Sequence, residues 1–183
     1  MQTLVEEAVA EALRAGGGEA VRLYVSACTE RMAPLFVGLR TGVPGREAEL
    51  DLYAESVRGL WYVDRPLADA AERVRLLERF PELQPDEEGI TDTADTYAFF
   101  AVLCLRYALL AHGSGSADEA VSCGHVALTA MGMVDQNTVG ASFRAEEQRL
   151  QSLLLSGDAS GVWDASVAAG RERFRAVLSR LPR

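Results

Sequence analysis

Apolar residues recur every three or four positions along most of the chain, which is the spacing of one face of an α-helix. The first such run begins at Leu4 and predicts a helix that ends near Ala15, where three consecutive glycines follow. The second run predicts a helix from Glu19 to Arg40, with Pro34 inside it. Because proline has no amide hydrogen and its ring crowds the preceding turn, we expect a kink at this position.

Further amphipathic runs continue to the end of the sequence. Pro66 suits the first turn of a helix, and Ser116 with Glu119 three residues later has the pattern of a capping box. No strand-like alternation and no internal repeat interrupts these runs. Besides the central helix described next, the predicted helices lie at about 46–62, 67–80 and 116–134, with one within 140–158 and one within 158–181.

One stretch is apolar almost without interruption. From Tyr97 to Ala111 every residue except Arg106 is apolar, which is typical of a helix that is covered on nearly all sides. Thr91 or Asp92 is placed to cap its N-terminus. We therefore expect the centre of the fold to be a helix at about residues 92–111.

The pattern as a whole predicts an all-α fold. A chain of 183 residues can bury an ordinary hydrophobic core without disulfides or metals. We expect a single compact bundle of seven or eight helices around the buried central helix, in one domain that covers residues 1–183.

The charge balance excludes several classes of function. All 18 basic residues are arginine, so the chain offers no lysine for a Schiff base or for a phosphate-binding loop. The net charge of −9 argues against binding to nucleic acid or to an anionic membrane, because both need positive potential. The central helix is also too short for a membrane span. Neutral or basic protein partners are favoured.

The cysteines and histidines do not form a metal-binding pattern. Cys28, Cys104 and Cys123 are widely spaced in apolar helical surroundings, which predicts free core thiols in a reducing, cytoplasmic compartment. Cys123 and His125 point about 200° apart on a helix, so they cannot bind one ion together. His112 stands alone. We therefore expect neither a metal nor a cofactor.

Charged residues in apolar surroundings are the best candidates for a site. Arg106 lies in the most apolar helix, and a buried charge needs a partner, for which Glu30 is our preferred candidate. Asp95 lies three turns earlier on about the same line. Arg31 is expected at the edge of its apolar stripe, within reach of the carbonyl that Pro34 leaves without a partner or of an acidic neighbour. These four residues, Glu30, Arg31, Asp95 and Arg106, are a possible polar or functional cluster.

Arginines are also concentrated near the C-terminus. Cations in the last turn of a helix complement the helix dipole, which explains their position most simply. Because arginine suits two-point contact with phosphate and carboxylate groups, an anion or partner site is the alternative. The residues concerned are Arg171, Arg173, Arg175, Arg180 and Arg183.

The segment CTERMAPLF resembles the CERMxPNY-like segment of the YjaG-type bacterial family, domain-of-unknown-function family 416. Trp61, Asp95 and the segment EAVSCGHVALTAM are similar to it in order and spacing, so that the resemblance covers roughly residues 19–155. It implies a compact all-α protein without an established activity, and therefore implies no catalytic residue. The matching positions in the first segment are Glu30, Arg31, Met32 and Pro34.

Without a catalytic pattern, we expect a cytoplasmic, non-enzymatic protein that acts through contact with another protein or with a second copy of itself. Trp61 and Tyr62 lie near a turn and are the possible interface residues. A narrower form of this hypothesis is an immunity-type protein that neutralises a toxin with a basic active site. The alternative is a small-molecule-binding or enzymatic pocket whose floor is the four-residue polar cluster.

Overall fold

A computed structural model of the protein describes residues 4–84, 89–90, 92–136, 139–140, 142–154 and 161–181. These ranges contain seven α-helices and no strand, which confirms the predicted all-α class. A short 3₁₀-helix, Pro81–Leu83, lies between the third and the fourth of these helices. The α-helices are α1 Glu7–Arg40, α2 Glu47–Leu60, α3 Ala70–Leu77, α4 Thr93–Ser114, α5 Ala117–Gln136, α6 Phe143–Leu153 and α7 Val162–Leu178.

Helix α1 contains the first two predicted helices, and the break expected between them at the glycines is confirmed. It lies at Gly17, whose backbone angles (φ 72°, ψ −171°) are not helical, so that two helical segments meet there at a kink. The helix resumes at once, because a glycine without a Cβ can adopt this conformation and return. Pro34 lies inside the second half, as predicted.

Helix α4 is the central element and contacts α1, α2, α3 and α5. Its N-terminus is capped by Asp92, whose side chain accepts hydrogen bonds from the amides of Ala94 (2.7 Å) and Asp95 (3.2 Å). Thr91, the other predicted cap, lies outside the described residues. At its C-terminus Gly115 adopts a left-handed conformation (φ 73°), so that α5 can turn back along α4.

The other helices pack around the antiparallel pair of α4 and α5. Helix α1 packs against α4, α5 and α7, and α6 packs against α5. The side chain of Asp135, near the end of α5, accepts hydrogen bonds from the amides of Phe143 (2.8 Å) and Arg144 (3.0 Å). Asp135 therefore satisfies two free amides in the first turn of α6 and fixes where that helix begins.

The expectation that α4 is covered on nearly all sides needs a correction. One face of this helix is only partly buried. It carries Phe100, Leu103, Tyr107 and Leu110. The central helix was expected to be too short for a membrane span, but α4 has 22 residues and is, by length and composition, the one described helix that could cross a membrane. Half of its most apolar window is buried in the bundle, and a single helix of this kind is weak evidence for a membrane span.

Candidate functional site

The four polar residues predicted as one cluster bind four different partners. The expected pairing of Glu30 with Arg106 is wrong, because α3 and α4 pack together and bring Glu78 to Arg106. Asp95 is also separated from Arg106 and reaches α1 instead. Glu30 accepts from Trp61 Nε1 (2.9 Å), Arg31 donates to Glu147 (2.7 and 2.8 Å), Asp95 accepts from Arg40 Nη2 (2.7 Å) and Arg106 donates to Glu78 (2.8 and 3.0 Å).

Arg31 is the residue whose position differs most from the prediction. It lies in the interior, with 1% of its surface exposed, rather than at the edge of the apolar stripe. Its Nε and Nη2 donate to the two carboxylate oxygens of Glu147 on α6, in the planar two-point geometry that favours arginine over lysine. The same carboxylate accepts a hydrogen bond from Nη2 of Arg173 on α7 (2.6 Å).

A polar shell surrounds this buried ion cluster of Arg31, Glu147 and Arg173. Gln151 donates to Glu147 (2.8 Å) and to the carbonyl of Gly124 (3.2 Å), and its own amide oxygen accepts from Tyr24 (2.8 Å). The remaining contacts of Arg31 are with Ser166 Oγ (3.3 Å) and Cys28 Sγ (3.4 Å). The shell therefore ties α1, α5, α6 and α7 together through side chains that water does not reach.

The ion cluster carries an excess of positive charge, since two guanidinium groups share one carboxylate. Although desolvation raises the pKa of Glu147, the nearby Arg31 and Arg173 outweigh it and lower that pKa to about 2. Glu147 therefore stays ionised at all ordinary pH values. Within the described part of the chain, Nε and Nη1 of Arg173 have no hydrogen-bond partner.

Helix α7 reaches this position because one glycine lets it approach α1 closely. A Cβ placed on Gly170 would lie 3.1 Å from the Glu30 carbonyl oxygen and 3.1 Å from Pro34 Cγ. The Glu30 carbonyl is the one that Pro34 deprives of its helical partner. The Pro34 ring and the Glu30 carbonyl thus lie in the contact surface between α1 and α7.

A second ionic group lies at the C-terminal end of α1. Arg40 and Arg46 both donate to the buried carboxylate of Glu82, and Arg40 also binds Asp95. Desolvation raises the pKa of Glu82, but the hydrogen bonds from the two arginines outweigh it and lower that pKa below its usual value. Arg46 also lies over the ring of Phe36 at 5.8 Å. This group holds the 3₁₀-helix and the start of α4 against α1.

The three cysteines are free, buried thiols, as predicted. Cys104 and Cys123 face each other across α4 and α5, with their sulfur atoms 3.5 Å apart. Burial raises the pKa of Cys123, so this thiol stays protonated. Within the described ranges, no group of three His, Cys, Asp or Glu residues is placed to hold a metal ion.

The two histidines act as hydrogen-bonding groups. His112 is buried, with Nδ1 accepting from the amide of Leu67 (3.1 Å) and Nε2 lying 2.9 Å from the carbonyl oxygen of Leu60. Burial lowers the pKa of His112, which favours the neutral ring. His125 Nδ1 accepts from the amide of Leu4 (3.1 Å), so a neutral His125 ring carries its proton on Nε2.

The partly exposed face of α4 forms an open groove with α5, here called the α4/α5 groove. Its volume is about 390 Å³, within the usual range for ligand pockets. Every lining residue comes from these two helices, and most are apolar. They are Phe100, Leu103, Tyr107, Val121, Ser122, His125, Val126 and Thr129.

The predicted interface residues lie elsewhere and have unequal exposure. Trp61 is half-buried, because its ring nitrogen is held by Glu30. Tyr62 is 61% exposed and remains free to contact a partner. Neither residue lines the α4/α5 groove.

The fold defines a helical-bundle protein with an ion cluster in its core and an apolar groove on one side. Comparison of the chain with known protein families, with characterised proteins and with solved structures finds no match. The resemblance to the YjaG-type family therefore stays a prediction.

Proposed function

We propose that this protein acts without catalysis, in the cytoplasm, by binding a helix of another protein in the α4/α5 groove. The proposal rests on the partly exposed face of α4, which is the most apolar helix of the protein. Phe100, Leu103 and Tyr107 follow each other at helical spacing along this face. Two antiparallel helices that expose such a face can accept a third, amphipathic helix between them.

The surrounding charges favour a neutral or basic partner. Asp118 is exposed and Glu119 is half-buried in the first turn of α5, next to the groove residues Val121 and Ser122. The chain as a whole has a net charge of −9. Like charges oppose a second copy of this chain, whereas a helix with an apolar stripe and flanking Lys or Arg is complementary. A toxin with a basic surface is one partner of this kind.

The proposal is tested by placing a photo-crosslinking amino acid at one site at a time. It would replace Leu103 in the groove, Tyr62 at the other candidate interface, or Arg58 as an exposed control on α2. We expect a specific crosslinked protein from native cells only at position 103. The identified protein is then purified and its affinity measured by calorimetry, where Leu103→Glu should weaken binding at least about tenfold.

Two results would contradict the groove as the binding site. One is a partner whose affinity is unchanged by Leu103→Glu and reduced by Tyr62→Glu. The other is light scattering that gives a stable dimer which Leu103→Glu dissociates, because the occupant would then be a second copy of the chain.

A small amphipathic molecule is the second candidate for the same groove. It is favoured by His125, whose ring places an Nε2–H donor in mostly apolar surroundings. A molecule with an apolar body and one hydrogen-bond acceptor matches this arrangement. Binding of such a molecule would be lost in both Leu103→Glu and His125→Phe, whereas a helix would depend mainly on Leu103.

A further inference from the structure

A second cleft lies between α6 and α7 and is here called the α6/α7 cleft. Its volume is about 420 Å³. Arg149 comes from α6, while Arg171 and Arg175 come from α7, one helical turn apart. Alanine side chains, among them Ala165 and Ala168, line its α7 side and leave space between the arginines.

Among the described residues, the three arginines of the cleft, Arg149, Arg171 and Arg175, make no polar side-chain contact that stabilises the fold. In the part of the chain that the structure describes, none of their side chains has a hydrogen bond or an ion pair. Arg40 and Arg46, by contrast, are both paired with Glu82. Glu146 and Glu172 also line the cleft, yet they are not within ion-pair distance of its arginines. Three exposed guanidinium groups therefore face one concave surface with their donors available.

The helix dipole does not explain this arrangement. Its effect falls off within the last turn of a helix. Arg175 lies in the last turn of α7, but Arg171 lies one turn earlier and Arg149 belongs to another helix. The helix dipole therefore explains the position of Arg175 but not those of Arg171 and Arg149.

The interior behind the cleft adds positive potential. Leu150 and Ala169, which line the cleft, are three and four residues from Glu147 and Arg173 in their helices. The ion cluster carries a net charge of +1, from two guanidinium groups and one carboxylate. The cleft itself is lined by three positive and two negative groups, so its net charge is also +1. This region is positive in a chain whose total charge is −9.

We infer that the α6/α7 cleft binds a small molecule that carries two oxyanion groups, either phosphates or carboxylates. A guanidinium group binds both kinds through two parallel hydrogen bonds. Arg149 holds one oxyanion from α6, while Arg171 and Arg175 hold the other from α7. Glu146 and Glu172 repel larger polyanions, so the cleft discriminates against nucleic acid.

The test uses pyrophosphate and citrate as probes, with sodium chloride added to keep the ionic strength constant. Binding is measured by calorimetry and by the NMR shifts of the arginine Nε–H groups. We expect saturable binding of at least one probe, weakened about tenfold by Arg149→Gln and by Arg171→Gln. Binding of pyrophosphate alone would identify a phosphate ligand, and binding of citrate alone would identify a carboxylate ligand.

Arg58→Gln is the matched control, because Arg58 is exposed on α2 and far from the cleft in sequence. It should leave binding unchanged, and thermal unfolding should show that all three variants fold. Two outcomes overturn the inference: neither probe binds, or Arg58→Gln weakens binding as much as the cleft variants do. Both are independent of the α4/α5 groove, since the groove and the cleft share no residue.

Discussion

Arg31 and Glu147, which are 116 residues apart in the chain, form a two-point ion pair in the interior of the bundle. Both side chains are almost completely shielded from water. The carboxylate also binds Arg173, so that a single negative charge compensates two positive ones. The stability of the protein therefore depends on one glutamate more than on any exposed ion pair.

Replacing Glu147 by Gln is expected to destabilise the protein strongly. Arg31 and Arg173 would remain buried without a counter-charge, which costs on the order of 3–5 kcal/mol. Urea unfolding followed by circular dichroism measures this loss. Glu55→Gln on the exposed face of α2 is the control and should change the free energy of unfolding by less than about 0.5 kcal/mol. A loss below about 1 kcal/mol for Glu147→Gln would mean that water compensates the two arginines.

Acid should destabilise the protein through the same residue. The pKa of Glu147 is about 2 in the folded protein and 4.5 when unperturbed, so the unfolded chain binds the proton more readily. This contribution to stability is complete above about pH 4.5 and is lost as the pH falls towards 2, by on the order of 3 kcal/mol. The lowered pKa of Glu82 acts in the same direction.

Urea unfolding at a series of pH values checks this expectation. The slope of stability against pH in the acid range should be smaller in Glu147→Gln than in the wild type, because the variant has no carboxyl group to protonate there. Equal slopes in the two proteins would show that other carboxyl groups cause the acid sensitivity.

Two glycine-to-alanine changes should have opposite effects. At Gly170 the new Cβ would meet backbone carbonyls of α1 at 3.1 and 3.2 Å, which cannot move aside as a flexible side chain can. We expect a loss of about 1–3 kcal/mol. At Gly132 the nearest atom is Arg144 Cδ at 3.5 Å, an ordinary contact, so the better helix propensity of alanine should add about 0.5–1 kcal/mol. Thermal unfolding of both variants decides this, and a stabilised Gly170→Ala would disprove the close approach.

The thiols should be unreactive in the native protein. Cys28, Cys104 and Cys123 are fully buried, and a thiol must ionise and become accessible before it reacts. A thiol-specific chromogenic reagent should label all three in denaturant and react with the folded protein only as fast as it opens. Immediate labelling of one thiol in the native protein would contradict this burial.

Much of the fold could be predicted because helical periodicity is a local property. The spacing of apolar residues predicted the helices, and the run of three glycines predicted the break that α1 has at Gly17. The partly exposed face of α4 was missed, since apolar composition does not say which face another helix covers.

The candidate site was predicted less well, although a local signal was present. Arg31 lies in line with Tyr24, Cys28 and Leu35, at the four-three-four spacing of a buried stripe. Glu147 interrupts the stripe of α6 in the same way, between Phe143 and Leu150, as Arg173 does in α7 between Gly170 and Val177. One charge on an otherwise buried line is the pattern that would have found all three.

The pairing of these charges could not be read from the sequence. Periodicity shows that a residue points inwards, but it does not show which helices meet. Glu30 and Arg31 are neighbours in the chain and about 100° apart around the helix, so they face different partners. Arg106 likewise binds Glu78 because α3 happens to pack beside α4.

The ion cluster also sets an order of events during synthesis. Arg31 leaves the ribosome long before Glu147, which lies 116 residues later, and α7 follows only after that. At ordinary translation rates this interval is on the order of ten seconds. During this time α1 cannot bury its arginine without leaving it uncompensated. The nascent helix must therefore keep that face hydrated, and the bundle can close only when the last two helices have been made.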